Sequence, residues 1–455
     1  MRLFAISKDR LSRANLYPPQ MSASLAKPRI FKGDGRLWWI YIILMFISFV
    51  EVFSASSTLG YQKNSILMPL GKHLFFQIVA IGSVFVLTKW FSSYLNRHQS
   101  KFRALLMIFY LLGLGTQLLT FTGMSVEING ASRWVELMGI SFQPSEIIRL
   151  GLIVVGASLL RFVRTDRRYI VWYWVAMFVP ILMIGWSNMS TFVMLGAFTF
   201  IYAWVGRMPS KSFLKVFGGA LVIGLIGFIA LTSLPGETLS KVVPRASTWK
   251  SRLEGFVSSD HKDLTPAQLD SAKYEINDDN FQEQHAKLAI ARGKGALGGV
   301  LGQMPGNSVE RDILPQAFSD YIYAIIIEEW GLVGAIVIPL LYILLFLILG
   351  EIANSSDSPF NQLLLRGIGL LYVMQAVLHF MVSVGIGPVT GQTLPLISRG
   401  GTSYLLTGWA IGLAILVSAM EAERKKSGVG SMDSADAPRD FDAFANEKCD
   451  PPTVE

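Results

Sequence analysis

Asp320 stands where a carboxylate could act as a general base. It follows a proline-bearing stretch, residues 314–319, and directly precedes a long apolar run. A carboxylate at the mouth of a membrane-spanning helix can reach both water and substrate, while apolar surroundings can raise its pKa toward neutrality. The same position also suits the N-cap of that helix. The sequence therefore predicts a catalytic base, a helix cap, or one side chain that serves as both.

Two more acids lie deeper in the same apolar run. Glu328 and Glu329 follow Asp320 by eight and nine residues, which is about 12–14 Å along a helix. Because burying a charge there costs on the order of a few kcal/mol, both must face protein or water. They could be structural hydrogen-bonding groups or, with His379, parts of a proton path. We favour the structural role, because the sequence holds no matching chain of buried acidic and histidine residues.

Residues 123–145 form a segment that is too polar to span a membrane and too apolar to float freely. We expect it to lie on the outer membrane interface. Within it, Arg133 could contact a phosphate through two parallel hydrogen bonds, and Trp134 could sit at headgroup depth. Taken alone, an interfacial anchor explains both residues equally well.

These residues need a scaffold inside a membrane. Hydrophobic residues make up 52% of the 455-residue chain and charged residues only 16%, whereas soluble proteins carry roughly 25% charged residues. The predicted fold class is all-α integral membrane, with about ten transmembrane helices and a large external loop, 235–318, between helices 7 and 8. Each apolar run is long enough to cross about 30 Å of hydrocarbon. The runs cover residues 38–58, 73–92, 104–122, 146–163, 169–187, 189–206, 214–234, 319–349, 363–385 and 403–421.

The basic residues predict the orientation. The net charge is +8, but the arginines and lysines fall in short loops, at 97–103, 161–168, 207–215 and 424–426, rather than in one patch. Such loops stay in the cytoplasm. We therefore expect both chain ends in the cytoplasm and no nucleic acid as a partner. One connection, after the eighth run, is acidic instead.

The chain divides into three parts: a basic cytoplasmic tail at 1–36, a membrane domain at 37–422 and a disordered cytoplasmic tail at 423–455. The external loop should carry short helices, because the residues from Thr265 to Arg292 have helical spacing. The single cysteine, Cys449, excludes an intrachain disulfide and argues against thiol chemistry.

Four short patterns stand in a fixed order along the apolar part of the chain. They are NGASRW with FQPSE at 129–146, KLAI before a glycine run at 287–302, LPQAFSD with EEWG at 314–331, and LPLIS with GGTS at 394–403. Together they resemble the SEDS family (shape, elongation, division and sporulation), whose members are polytopic peptidoglycan glycosyltransferases. The resemblance covers about residues 38–422, and the stretch 306–308 looks more like the division member than the elongation member.

The sequence departs from the family pattern at several positions. Arg149 replaces a common Lys, His379 a usual Asn and Arg399 a usual Tyr, while residues 187–189 (SNM) replace Pro-Asp-Leu. The missing acid at Asn188 argues against a catalytic role for that position. None of these changes removes the candidate base.

The resemblance implies lipid II, a disaccharide-pentapeptide on undecaprenyl diphosphate, as substrate and a nascent glycan strand as product. Asp320 would deprotonate the acceptor hydroxyl, and cations would meet the departing diphosphate. A divalent cation, Mg²⁺ or Mn²⁺, could assist. The substrate-binding candidates are Arg133, Trp134, Arg252, Lys287, Ser308 and Ser398.

The resemblance also implies a place and partners: the bacterial cytoplasmic (inner) membrane at the division septum, beside a membrane-anchored penicillin-binding transpeptidase and other division proteins. Two other classes stay open. A transporter that flips lipid II would use Glu328, Glu329 and His379 at membrane depth, and a non-catalytic division scaffold would act through its tails. A lone outer carboxylate at a helix mouth favours catalysis, and the lack of an internal repeat weakens the transporter interpretation.

Overall fold

The computed structural model describes residues 31–55, 67–122, 125–128, 131–137, 140–235, 250, 276, 280–295, 299–387 and 391–427. Most of both tails and most of the external loop, including Arg252 and the start of the predicted helical stretch at Thr265, lie outside these residues. In chain order the elements are α1 (Gly35–Ala55), α2 (Leu67–Val86), a π-helical turn (Leu87–Phe91), α3 (Ser92–Arg97), α4 (Gln99–Leu119), β1 (Ser125–Ile128), β2 (Ala131–Leu137), β3 (Ile140–Phe142), α5 (Pro144–Leu160), α6 (Arg168–Gly185), α7 (Met189–Val205), α8 (Ser210–Ser233), α9 (Phe281–Arg292), α10 (Glu310–Ile313), α11 (Ile322–Asn354), α12 (Pro359–Ser383) and α13 (Thr402–Lys426).

Ten segments of the described chain form the predicted membrane bundle. Eight helices are long and apolar enough to cross a membrane, with α2 and α3 joined into one of them through the π-helical turn. Two 17-residue helices, α5 and α7, complete the set. The eighth segment, α11, begins at Ile322 rather than at residue 319, so that Asp320 lies outside it.

Helices α5 and α13 form the centre of the bundle, where most of their residues are buried. Contact with protein rather than lipid explains how the short α5 carries both Glu146 and Arg149. Its close packing depends on glycine, because a Cβ at Gly151 would lie 2.6 Å from the Cα of Tyr110 in α4. Helix α8, by contrast, has no buried residue, and its apolar side chains are exposed at the surface of the bundle.

The outer segment between α4 and α5 forms a small antiparallel sheet in the order β1-β2-β3. Val135 of β2 pairs with Ser125 on one side and with Phe142 on the other, and its side chain is fully buried. The sequence predicted a segment on the membrane interface but no strands. The sheet gives the backbone groups of these strands partners of their own, which an interfacial segment needs where water is scarce. Among the described residues, the fold is thus a helical bundle that carries one small sheet.

Helix α11 is broken at Gly331, near its outer end. Gly331 has φ 63° and ψ −142°, a conformation that residues with a Cβ avoid. The break releases the main-chain oxygens of Glu328 and Glu329 from the helix, and they accept hydrogen bonds from the N–H groups of Gln303 (2.9 Å) and Met304 (2.8 Å). The last part of the external loop is therefore fastened to α11 by main-chain hydrogen bonds.

The acidic connection after α11 has a basic partner. Arg36, at the start of α1, donates two hydrogen bonds to the carboxylate of Glu351, at 2.8 and 3.1 Å, and also pairs with Asp34. Lys32 reaches Glu423 at 2.9 Å in the last turn of α13. The end of the basic tail thus neutralises acids on the face of the bundle that the basic loops assign to the cytoplasm.

Candidate active site

Asp320 lies in the turn between α10 and α11. The N-cap residue of α11 is Tyr321, whose side chain makes no capping bond, so the alternative role of Asp320 as the N-cap residue is not found. Its main-chain N–H donates to the oxygen of Gln316 at 3.0 Å, and its Oδ1 accepts from the Ser319 hydroxyl at 2.8 Å. The side chain is half-buried. A half-buried carboxylate outside the helix retains the access to solvent that a general base requires.

The turn that carries Asp320 is held by the outer segment 391–401. The Ser398 hydroxyl donates to the main-chain oxygen of Ser319 at 2.6 Å, and the Arg399 N–H donates to that of Phe318 at 3.0 Å. The guanidinium of Arg399 also lies over the Phe318 ring, 5.2 Å from its centroid, and burial lowers the pKa of this guanidinium from its usual value. The third and fourth sequence patterns therefore meet at the candidate base.

Gly391 reaches the carboxylate itself. It has a φ of +63°, and a Cβ placed there would lie 3.3 Å from Oδ2 of Asp320. Sequence reasoning did not single out this glycine. Nothing in the sequence indicates which side chain this glycine would approach.

Ser398 and Ser308, predicted to bind substrate, are buried and already hydrogen-bonded. The Ser398 hydroxyl, besides its bond to Ser319, accepts from the Leu394 N–H at 2.7 Å. The Ser308 hydroxyl donates to Oε2 of Glu328 and accepts from the Arg311 N–H at 3.1 Å. Both side chains are less than 5% exposed. In this structure both hydroxyls bond within the protein and support the site, and their assignment to substrate binding stays a prediction.

Glu328 fastens the segment before α10 to α11. Besides the Ser308 hydroxyl, its carboxylate accepts the main-chain N–H groups of Val309 at 3.0 Å and of Glu310 at 3.3 Å. Three donors that converge on one carboxyl group hold the side chain in a fixed place within the protein. This arrangement supports the structural role that we favoured from the sequence.

Glu329 makes a different connection, to the outer end of α1. It accepts from the Ser54 hydroxyl, which in turn accepts from Gly306 N and from Nη1 of Arg311, each at 3.2 Å. His379 bonds instead to the main-chain oxygen of Gln392. Among the hydrogen bonds of the described residues, none joins His379 to either acid, so these bonds trace no proton path.

The structure describes the side chain of only one of the three cationic candidates. Lys287 lies on α9, half-exposed, and pairs with Glu283 one turn earlier at 2.5 Å. Helix α9 is anchored through His285, whose Nδ1 is 2.7 Å from the buried carboxylate of Glu310. Arg133 lies in β2, between residues that pair with β1, but its side chain is outside the described part of the structure. Arg252 is outside it altogether.

Trp134 follows Arg133 in β2 and pairs with Val126 of β1. Its side chain is half-buried, and its indole N–H is shielded from solvent. The assignments of Arg133, Trp134, Arg252 and Lys287 to substrate binding stay predictions.

The described residues do not by themselves form a metal centre. Within them, no group of three or more His, Cys, Asp or Glu side chains could hold a metal ion. Mg²⁺ is commonly held by one or two carboxylates together with substrate phosphates, so a cation here would depend on the diphosphate of a substrate.

The whole bundle matches one known family. The family model FTSW_RODA_SPOVE, described as "Cell cycle protein", covers residues 35–424, from the first residue of α1 into the last turn of α13. The chain belongs to this family. It is the SEDS family that the four sequence patterns indicated, and the matched range includes both the Asp320 turn and the segment 391–401.

Curated relatives in the FtsW/RodA/SpoVE family carry a consistent name. A "Probable peptidoglycan glycosyltransferase FtsW" of Enterococcus hirae is 28% identical over 411 residues, which cover 88% of this chain and 95% of that protein. The protein of the same name in Nitrosococcus halophilus (strain Nc4) is 31% identical over 319 residues, covering 68% of this chain and 74% of that protein.

Two solved structures share the fold. The rod shape determining protein RodA of Thermus thermophilus superposes with a TM-score of 0.54 at 20% identity, covering 86% of this chain and 97% of that one. A chain from a peptidoglycan synthase complex that coordinates polymerization and crosslinking superposes with a TM-score of 0.55 at 22% identity, covering 85% of this chain and 97% of that one. The ten-segment bundle is therefore the fold of this family.

Proposed function

We propose that the protein is a peptidoglycan glycosyltransferase that polymerises lipid II into glycan strands for septal wall synthesis. The observation that carries the proposal is the placement of Asp320: a half-buried carboxylate outside the membrane helices, approached by Gly391 and held through its turn by Ser398. Enzymatic bases are built in this way, on a rigid support with access to the substrate. The names of the relatives support the same activity.

The reaction requires one proton transfer and one substitution. Asp320 accepts the proton of the GlcNAc 4-hydroxyl of one lipid II. The oxygen forms a bond to the anomeric carbon of the growing strand, while the bond between that carbon and the diphosphate oxygen breaks. Undecaprenyl diphosphate leaves with its negative charge, and Lys287 and Arg133 are the cations proposed to meet it. Afterwards Asp320 returns its proton to water.

The geometry gives the two carboxylate oxygens different tasks. Oδ1 accepts from the Ser319 hydroxyl, and Oδ2 lies on the side of Gly391, where a Cβ would stand only 3.3 Å from it. An acceptor hydroxyl that approaches Oδ2 would meet a carboxylate already fixed at its other oxygen. Fixing the base before the substrate arrives lowers the entropic part of the barrier.

Place and partners follow from the same family. We propose that the chain acts in the bacterial inner membrane at the septum, as the FtsW-named relatives suggest, rather than in elongation. We also propose a membrane-anchored transpeptidase as its partner, since a similar chain belongs to a complex that couples polymerization to crosslinking. Polymer and crosslink would then form side by side on the outer face.

The test compares Asp320→Asn with Asp312→Asn. Both replacements remove a carboxylate from the stretch that precedes α11. Asp312, however, lies in α10 and is exposed, whereas Asp320 is half-buried. Each purified variant is incubated with lipid II, and glycan polymer is measured on a gel. We expect Asp320→Asn to bind lipid II and melt like wild type but to lose polymerisation by about 10²–10⁴-fold, and Asp312→Asn to polymerise normally. Polymer formation by Asp320→Asn at the wild-type rate would contradict the mechanism.

A further inference from the structure

Gln392 is a buried side chain that three membrane helices hold at once. Its side-chain oxygen accepts from Nη2 of Arg149 on α5 at 2.8 Å, and its amide nitrogen donates to Oγ1 of Thr191 on α7 at 3.0 Å. Its main-chain oxygen accepts from Nδ1 of His379 on α12 at 2.8 Å. A residue of an outer loop is thus fixed at both its side chain and its backbone by the rigid bundle.

The residue next to Gln392 is Gly391, the one that approaches the carboxylate of Asp320. Since the two share a peptide unit, holding the carbonyl and side chain of Gln392 limits the positions that Gly391 can take. The other end of the same segment is held at Ser398, which bonds to the residue before Asp320. Ser398 therefore holds the main chain of the Asp320 turn. Gln392 holds Gly391, the residue that lies beside Oδ2.

The buried guanidinium of Arg149 helps to hold Gln392 in place. Arg149 is 2% exposed, and Glu146 neutralises it at 2.8 Å, one turn away on α5. Its remaining contacts go to the side-chain oxygens of Gln375, at 3.2 Å, and of Gln392. A planar guanidinium can address several acceptors in fixed directions, which a lysine ammonium cannot. The sequence departs from the family pattern at both Arg149 and His379, and both departures end on Gln392.

His379 has a defined tautomer in this contact. A carbonyl oxygen can only accept, so the proton must reside on Nδ1, and the ring serves as a donor to Gln392. Asparagine places an amide N–H group near the position of Nδ1, whereas leucine offers no donor. The two replacements therefore separate the hydrogen bond from the volume of the side chain.

We propose that Gln392 is a positioning residue for the transfer reaction, through which Arg149 and His379 hold Gly391 against the carboxylate of Asp320. The proposal rests on the proposed function, in which Asp320 is the base. When the anchor is lost, Gly391 withdraws and the carboxylate samples orientations that do not face the acceptor hydroxyl. Substrate binding, which depends on groups elsewhere in the site, is unaffected.

The experiment measures initial rates of polymerisation against lipid II concentration for the purified full-length chain. Gln392→Leu keeps the volume and removes the side-chain bonds to Arg149 and Thr191, and His379→Leu removes the backbone bond. We expect each to lower kcat by about 10–100-fold with KM within twofold of wild type, the loss that a base displaced by a fraction of an ångström to 1 Å produces. His379→Asn should restore most of the rate that His379→Leu loses.

The control is Gln362→Leu, at the other end of α12. It removes a partly buried hydrogen bond from the Gln362 side-chain amide to the main-chain oxygen of Ser356. It should match wild type in kcat and KM, and thermal melting of every variant shows whether it is folded. Wild-type kcat in folded Gln392→Leu, a rise in KM equal to the loss in kcat, or His379→Asn as slow as His379→Leu would each overturn the proposal. Loss of polymerisation in Asp320→Asn with normal rates in Gln392→Leu would reject the positioning role alone, whereas a fully active Asp320→Asn would reject the base itself.

Discussion

Replacing Glu328 with Gln separates a structural acid from one that carries protons. In the native protein the carboxylate accepts three hydrogen bonds, from the Ser308 hydroxyl and from the N–H groups of Val309 and Glu310. A glutamine can accept at one oxygen only. If that oxygen keeps the bonds to Ser308 and Glu310, the new NH₂ group faces the N–H of Val309, and two donors oppose each other.

The expected loss follows from this change. One bond to a charged acceptor disappears, worth about 1.5–3 kcal/mol, and the two that remain lose their charge assistance. We expect the free energy of unfolding to fall by about 2–4 kcal/mol. For a chain of this size, that corresponds to a melting midpoint lower by about 2–4 °C.

The assay is thermal melting in detergent, with polymerisation measured on the folded protein below the midpoint. Glu351→Gln is the matched control, because it makes the same substitution in the same helix at an exposed ion pair with Arg36. Exposed pairs contribute about 0–1 kcal/mol, so its midpoint should move by less than about 2 °C. A Glu328→Gln protein that melts like wild type but has lost its function would refute the structural role and favour a proton-coupled flippase.

Three further predictions concern the orientation, the cations and the tail. In a chain whose natural cysteine is replaced, a cysteine at Ser258 should react with a membrane-impermeant thiol reagent in intact cells, whereas a cysteine at Ser434 should not. The opposite labelling pattern would refute the predicted orientation. Arg133→Lys should weaken lipid II binding more than a surface exchange does, because it loses the planar fork, and Lys287→Ala should weaken it as well; unchanged affinity in Lys287→Ala and Arg133→Ala would refute the diphosphate contact. Removal of residues 430–455 should leave polymerisation intact, since the segment has too little apolar content to pack, and an inactive but well-expressed truncation would assign the tail a role in the reaction.

The membrane bundle could be predicted from the sequence because its signal is local. An apolar run of membrane length identifies a span without knowledge of its neighbours, and all ten runs correspond to helices of the structure. The shortest spans, α5 and α7, were found by the same rule although each has 17 residues. Their ends shifted by a few residues, because helix ends depend on the loops that follow.

The outer structures could not be predicted in the same way. The strands β1, β2 and β3 have 4, 7 and 3 residues, too few for a clear alternation of apolar and polar residues. The hydroxyls of Ser308 and Ser398 find partners 20 and 79 residues away along the chain. A family pattern places such residues near a site, but it does not tell whether a hydroxyl faces the substrate or the protein.

The break at Gly331 makes α11 two helices in electrostatic terms, although the chain runs on from one to the other. Peptide dipoles add up only along an unbroken helix, so the longer inner part starts at the break with a positive end of its own. The shorter outer part ends at the same break, so its negative end, at the released main-chain oxygens of Glu328 and Glu329, meets the positive end of the inner part, and the two fields partly cancel there. A single glycine thereby creates two helix ends inside one membrane segment, and the main-chain N–H groups of Gln303 and Met304 supply the hydrogen bonds that the outer end would otherwise lack.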